Sequence, residues 1–238
     1  MHTLPNAPYL GPRLRSLLRL IADRQQQQRY DVIWDCCCDH GYLGINILHR
    51  ELAPQVVLVD QIASIMALLE PRLSSYPADQ YRLITGDVGE LEFCSDKRHL
   101  VIIAGVGGEN IVKMLEAIAL NHSNVPIDFL FCPATTQYDL REYLAAQNYS
   151  LLHESLVTEK GRDYEVIYVR HPHDADILNP VSLAGDMWDT RKPEHLRYLN
   201  KLVTHYRNQS RTDDSGRKRQ AMLEYQRCLG ATGEEIAL

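Results

Sequence analysis

Short apolar runs alternate with amphipathic segments through the first two thirds of the chain. Runs of large apolar and β-branched residues occupy residues 32–34, 55–60, 81–86, 100–104 and 129–132, and such runs are typical of buried strands. Apolar positions recur at helical spacing between and after them, over residues 43–48, 63–73, 109–120 and 138–147. Strands that alternate with helices predict an α/β fold built on a parallel sheet.

Both ends of the chain depart from this alternation. Helical spacing over residues 12–23 predicts a helix before the first strand. Two β-like segments at residues 150–158 and 164–169 flank a Glu-Lys-Gly-Arg turn and predict a terminal hairpin of strands. After a linker that contains proline and glycine, an apolar seam from Leu196 to Tyr206 and a helix over 217–229 predict a coiled-coil-like helical hairpin.

Composition narrows the class of protein. The 238 residues are 45% hydrophobic and 24% charged, as in an ordinary globular protein. Without an apolar stretch of membrane-spanning length or a signal-peptide pattern, we predict a cytoplasmic protein that does not bind membranes. The six cysteines include three in a row but no CxxC pair, so we expect free thiols and no metal site.

Basic residues concentrate in the C-terminal hairpin. The whole chain has a formal net charge of −6, yet residues 191–229 contain ten Lys or Arg and only four Asp or Glu. A locally positive element on an acidic protein predicts contact with a nucleic-acid backbone. Two alternatives stay open, a solvated pair of helices and an arm that binds a partner or a second copy in a homodimer.

The segment between the first strand and the next helix is the strongest candidate for chemistry. It reads Asp-Cys-Cys-Cys-Asp-His-Gly-Tyr at residues 35–42. A strand, a tight loop and a helix bring backbone amides close to a ligand. Two carboxylates in this loop repel phosphates and suit a cationic, zwitterionic ligand such as S-adenosylmethionine (SAM). The later Asp60, at the end of a strand, has two oxygens for the two hydroxyls of a ribose.

Two motifs carry a resemblance to a known family. The Asp-x-Cys-x-Asp-x-Gly spacing of residues 35–41 resembles the D-x-G-x-G-x-G motif of Rossmann-like SAM methyltransferases. The longer run through Leu43 resembles the D-I-G-S-D-H-x-Y-L motif of the TrmK family, the bacterial tRNA (adenine22-N1) methyltransferases. Residues 102–108, Ile-Ile-Ala-Gly-Val-Gly-Gly, resemble the I-A-G-M-G-G run of the same family.

The resemblance implies a Rossmann-like class I SAM methyltransferase domain at residues 1–171. Residues 172–238 would form a linker and a basic, tRNA-binding helical hairpin. The implied reaction moves a methyl group from SAM to N1 of an adenine in tRNA. The expected catalytic residues are Asp39, His40 and Tyr42. The expected cofactor-binding residues are Asp35, Cys36, Cys37, Gly41, Asp60, Gln61, Gly86, Asp87, Val88, Ala104, Gly105 and Val106, with Asp87 placed to accept a hydrogen bond from the adenine amino group.

Four residues depart from the family's pattern, and one of them is Cys38, in the place of a serine. Cys37 stands in the place of a glycine, and Cys132 and Ala134 stand where the family has polar residues. These changes support an alternative, a SAM-binding protein with a changed substrate or without RNA methylase activity, whose hairpin is a partner or dimerisation arm. The role of His40 also stays open between a catalytic base, a phosphate contact and a residue that orders the loop.

Overall fold

The protein is seen in a computed structural model that describes residues 6–171 and 179–231. Seven strands form one sheet in the order β3-β2-β1-β4-β5-β7-β6. The strands are β1 (Val32–Cys36), β2 (Gln55–Asp60), β3 (Tyr81–Thr85), β4 (His99–Ala104), β5 (Ile127–Cys132), β6 (Ser150–Glu159) and β7 (Arg162–Arg170). The first five strands are parallel, and β7 runs antiparallel to β5. The predicted Rossmann-like order with an antiparallel last strand is therefore confirmed.

Seven helices accompany the sheet in the part of the chain that the structure describes. They are α1 (Pro12–Gln27), α2 (Tyr42–His49), α3 (Ala63–Leu73), α4 (Gly108–Asn121), α5 (Gln137–Ala146), α6 (Pro193–Gln209) and α7 (Arg217–Ala231), and a 3₁₀ turn spans Val88–Glu90. Proline opens both α1 and α6, where the first N–H has no helical partner to lose. The helices predicted from apolar spacing are all present, with ends that shift by a few residues.

The core lies on both faces of the sheet. All five residues of β1 are buried, so its side chains point alternately into the two apolar layers. Ile33 packs with α1, α2 and α3, whereas Trp34 packs with α4 and α5. Since both faces are covered, the free edge for a ligand is the one where the parallel strands end.

The helical hairpin packs directly on the sheet domain. Tyr138 of α5 shares a buried cluster with Tyr206 of α6 and Tyr225 of α7, whose rings stack at 5.7 Å. The guanidinium of Arg141 is fully buried and donates to Glu165 Oε2 at 2.6 Å and to Glu154 Oε2 at 2.7 Å. The predicted C-terminal helices are confirmed, while the division of the chain at residue 171 stays a prediction.

Candidate active site

The loop between β1 and α2 has an unusual backbone. Cys37 and Asp39 adopt left-handed conformations with φ of 55° and 48°, and Gly41 follows with φ of 64°. A Cβ at Gly41 would lie 2.8 Å from Leu69 and 2.9 Å from Leu58, so this position requires glycine for space as well as for conformation. Cys37 keeps the left-handed backbone although its side chain disfavours it, so the loop stores strain beside a ligand cavity.

Asp35 occupies the inner end of this loop. Its Oδ2 accepts a hydrogen bond of 2.7 Å from the backbone N–H of Gly44, inside the first turn of α2. Burial raises the pKa of Asp35 to about 7, the nearby Asp60 adds to the rise, and the Gly44 hydrogen bond opposes it. A positively charged ligand group at this carboxylate would restore the ionised form.

Backbone and side-chain amides fix the next two carboxylates. Asp60 accepts one hydrogen bond at each oxygen, from the N–H of Asp39 at 3.1 Å and from the N–H of Ile62 at 3.0 Å. Asp87 accepts from the N–H of Gly89 at 2.8 Å and from the side-chain amide of Gln61 at 2.9 Å. Each carboxylate oxygen keeps further acceptor capacity for a ligand, in an orientation that is already set.

The turn after β4 presents bare backbone at the same edge. Gly105 has φ of 90°, and its N–H donates to the carbonyl of Cys132 at 3.0 Å. A Cβ at Gly108 would lie 2.2 Å from the carbonyl of Thr136, so this glycine allows the β4–α4 and β5–α5 turns to touch. Cys132 is fully buried, so its side chain offers no polar group to the surface there.

One cavity of about 1070 Å³ joins these elements. It is lined by every catalytic and cofactor-binding residue predicted from the sequence except Gly41, which packs against the core behind the loop. The roles assigned to these residues stay predictions. The volume suits a ligand the size of SAM with part of a nucleotide.

The sequence interpretation missed lining residues that helices bring to the cavity. They are Arg13 and Leu14 of α1, Ile62 and Ile65 near the start of α3, and Asn110, Lys113, Met114, Ala117 and Asn121 of α4. The α4 residues recur at three- and four-residue spacing, so one helix face could have been found once the preceding turn was assigned to the site. Arg13 precedes the sheet, and its placement depends on tertiary packing alone.

The three predicted catalytic residues lie together at the mouth of the cavity. The rings of His40 and Tyr42 are 5.6 Å apart, and Nδ1 of His40 lies 3.9 Å from Oδ1 of Asp39. Arg72 of α3 stacks 5.3 Å over the Tyr42 ring and donates to the His40 carbonyl at 3.0 Å. The Asp39 and His40 side chains are more than half exposed, at 66% and 56%, so an incoming substrate can reach them.

The described residues present neither a metal site nor a membrane-spanning helix. No group of three or more His, Cys, Asp or Glu side chains within residues 6–171 and 179–231 could hold a metal ion. No helix in those ranges is long and apolar enough to cross a membrane.

Comparison with known proteins gives the family. A family model described as a methyltransferase domain matches residues 10–167. This chain belongs to that methyltransferase family. A Mycoplasma pneumoniae protein, provisionally named a tRNA methyltransferase, is 29% identical over 157 residues, which cover 66% of this chain and 71% of that protein.

Solved structures extend the likeness beyond the family domain. TrmK of M. capricolum, in complex with S-adenosylhomocysteine (SAH), has a TM-score of 0.68 at 16% identity and covers 94% of this chain and 98% of its own. The B. subtilis m1A22 tRNA methyltransferase TrmK has a TM-score of 0.65 at 19% identity, with 95% and 98% covered. Magnesium protoporphyrin IX methyltransferase from Synechocystis, with bound SAM, has a TM-score of 0.52 and covers only 67% of this chain and 78% of its own. At these identities the likeness shows the shared fold.

Proposed function

We propose that this methyltransferase transfers a methyl group from SAM to N1 of an adenine in tRNA. The observation that carries the proposal is that the likeness to TrmK structures covers nearly the whole chain, hairpin included, whereas the likeness to a small-molecule methyltransferase covers two thirds. The Asp-His-Gly-Tyr-Leu run that resembles the TrmK motif lines the mouth of the cavity. A tRNA substrate also favours a cytoplasmic location.

The acceptor groups of the cavity fit SAM. Asp60, already oriented by two backbone amides, would accept hydrogen bonds from the ribose hydroxyls. Asp87 and Gln61, bonded to each other, would face the adenine ring. Asp35 would meet the ammonium group of the amino-acid part, because its buried carboxylate lacks a positive partner nearby among the described residues.

Bringing the reacting atoms into line is the main task of the protein. When bound, SAM supplies an electrophilic methyl group on a positively charged sulfur. N1 of adenine attacks with its own lone pair, so alignment supplies most of the rate. Because N1 is stacked or paired in folded tRNA, the base must first leave its stack. The ring of Tyr42, held by Arg72 at the mouth, would contact the extruded base.

The product carries the charge that the site must accommodate. Alkylation at N1 leaves the adenine ring positive, and the departing sulfur keeps the bonding electron pair. Asp39 is the predicted group that stabilises this charge, because its carboxylate lies at the mouth of the cavity. The ring nitrogen of His40, 3.9 Å away, is too distant to occupy that carboxylate with a hydrogen bond. His40 and Tyr42 shape the entrance next to it.

The hairpin divides its basic residues between two tasks. Arg217 binds Asp139 at 2.7 Å and also Glu142, and Arg197 binds Asp163 at 2.8 Å, so these two arginines attach the hairpin to the sheet domain. Other basic side chains are exposed and make no ion pair with a described residue; they are Lys192, Lys201, Arg207, Arg211 and Arg219. This second set is the proposed contact with the tRNA backbone.

Two measurements test the proposal. The wild type should bind SAM in calorimetry and transfer a labelled methyl group to bulk bacterial tRNA. Asp60→Ala should lose most SAM affinity, because a ligand hydroxyl pair loses its charged acceptor. Asp79→Ala, an exposed carboxylate outside the cavity, is the matched control and should bind normally. Binding of SAM without any methylation of tRNA would contradict the substrate and favour a SAM-binding protein with a different role.

A further inference from the structure

The charge of the cavity is divided along the edge of the sheet. The strand order places Asp87, Asp60 and Asp35 in sequence at the ends of β3, β2 and β1. Lys113 lies at the same end, because its helix α4 packs on the turn that follows Asp87. The far end, beyond β4 and β5, has one cationic lining residue among those described, Arg13 of α1.

Arg13 is anchored at that end without being fully paired. Its guanidinium stacks 5.2 Å over the ring of Tyr164, and its Nε lies 3.8 Å from the carboxylate of Glu159, too far for a hydrogen bond. Neither Nε nor Nη1 has an oxygen acceptor in the described residues, although both atoms are enclosed. The thiol of Cys132 adjoins the guanidinium but is a weak acceptor.

The same guanidinium faces bare backbone. A Cβ on Gly105 would lie 3.7 Å from Nη1 and 4.0 Å from Nη2 of Arg13, so the guanidinium lies within about one methyl group of the Gly105 backbone. The Arg13 side chain is 20% exposed and lines the cavity, so an anionic group can reach the guanidinium from that side and compensate a cation whose enclosed donors are unused. A phosphate oxygen can accept a hydrogen bond from the exposed part of this guanidinium and is attracted by its charge.

We infer that Arg13 binds a phosphate of the tRNA strand next to the extruded adenosine and so directs the substrate to the β4 and β5 end of the cavity. This inference rests on the proposed function. A contact with the phosphate is favoured over one with the base, because the base becomes a cation during the reaction and would be repelled by a guanidinium. The carboxylates at the opposite end repel the phosphates of the same strand, while the extruded base reaches Asp39 and Tyr42 at the mouth of the cavity.

A chemical change on each partner tests the contact. A tRNA transcript that the wild type methylates is rebuilt by ligation with a neutral methylphosphonate on the 5′ or the 3′ side of the methylated adenosine, or at a remote position. We expect Arg13→Gln to lower kcat/KM for the natural tRNA by about 10- to 100-fold, the effect of losing a hydrogen bond to a charged group. A methylphosphonate on one of the two sides of the adenosine should lower kcat/KM of the wild type by a similar factor. The same substitution should lower kcat/KM of Arg13→Gln little further, because the variant has already lost the contact.

Controls separate this role from a structural one. In Arg13→Gln, SAH affinity and the melting temperature should stay close to wild type. Arg13→Lys keeps the positive charge but not the guanidinium, so it should show a smaller loss of kcat/KM. Arg19→Gln, an exposed arginine on the same helix, should behave as the wild type. Additive losses from the two changes, or a matching loss of SAH affinity, would overturn the inference. A wild type that methylates no tRNA would instead overturn the proposed function and the inference with it.

Discussion

The buried carboxyl of Asp35 makes a prediction about stability that needs no substrate. Burial raises its pKa to about 7, whereas an aspartate in the unfolded chain has an ordinary value of 3.8. Between these two values the folded protein binds a proton that the unfolded chain has released. The free energy of unfolding therefore falls as pH rises from about 4 to about 7, and the loss is complete above that range.

Asp35→Asn removes this titration and keeps an oxygen for the N–H of Gly44. With a folded pKa of about 7, the linkage relation gives a loss of about 2.5 kcal/mol for the wild type between pH 5 and pH 8. The variant lacks this loss, so it should gain about the same amount relative to the wild type over that interval.

Urea unfolding of the SAM-free protein at pH 5, 6, 7 and 8 measures the difference. Histidines with a lowered pKa, such as the buried His99 and the exposed His153, also titrate, but they are present in both proteins and cancel in the comparison. Asp79→Asn serves as an exposed control and should show a constant difference. A wild-type-to-variant difference that does not change with pH would refute the assignment of Asp35 as a carboxyl that is protonated when folded.

Four further predictions concern the loop and the hairpin. Asp39→Asn, which tolerates the left-handed backbone, should lower methyl transfer by about 10²–10³ with little change in SAM affinity, measured by single-turnover methylation; activity within a few-fold of wild type would reduce Asp39 to a loop residue. Cys37→Gly should raise the free energy of unfolding by about 1 kcal/mol because it removes the strain of a φ of 55°, and a lower value in urea unfolding would contradict that strain. Changing Arg207 and Arg211 together to Gln should weaken tRNA binding and lower its log–log salt slope by somewhat under one unit for each lost contact, measured by filter binding. Arg217→Gln should instead lower the melting temperature, since that arginine binds α5; an unchanged salt slope in the double variant would move the RNA surface elsewhere.

The strands and the cavity were predictable because their causes are local. Parallel strands buried on both faces must read as continuous apolar runs, and their carboxyl ends must meet at one edge. Asp60 and Gly105 lie at or just after the ends of such runs, and Asp87 follows the partly exposed edge strand β3, so their positions along the chain were enough to bring them into one cavity. The resemblance of the first loop then suggested which ligand that edge would take.

Other features depend on contacts that spacing does not reveal. Arg13 of α1 lines the cavity and Arg72 of α3 contacts His40 and Tyr42 at its mouth, and nothing in their neighbours along the chain marks them. The sequence interpretation also treated the basic hairpin as one surface, because a count of charges does not show which arginine meets Asp139. At Cys37 the sequence did show the departure, because a cysteine stands where the family has a glycine. The structure adds that the left-handed backbone is kept although no glycine is present.

The network around Arg141 limits how this protein can be divided. Its buried guanidinium binds carboxylates of β6 and β7 and also the carbonyl of Ser182 at 3.1 Å, while Tyr198 of α6 donates to Glu165 at 3.2 Å. A protein truncated after residue 171 would lack Ser182 and Tyr198, and the side chain of Tyr138 would be exposed to water. Breaking a buried charge network of this kind costs several kcal/mol, a large part of the stability of a domain. We therefore expect the sheet and the hairpin to unfold in a single transition, and a truncated protein to report on misfolding rather than on catalysis without the hairpin.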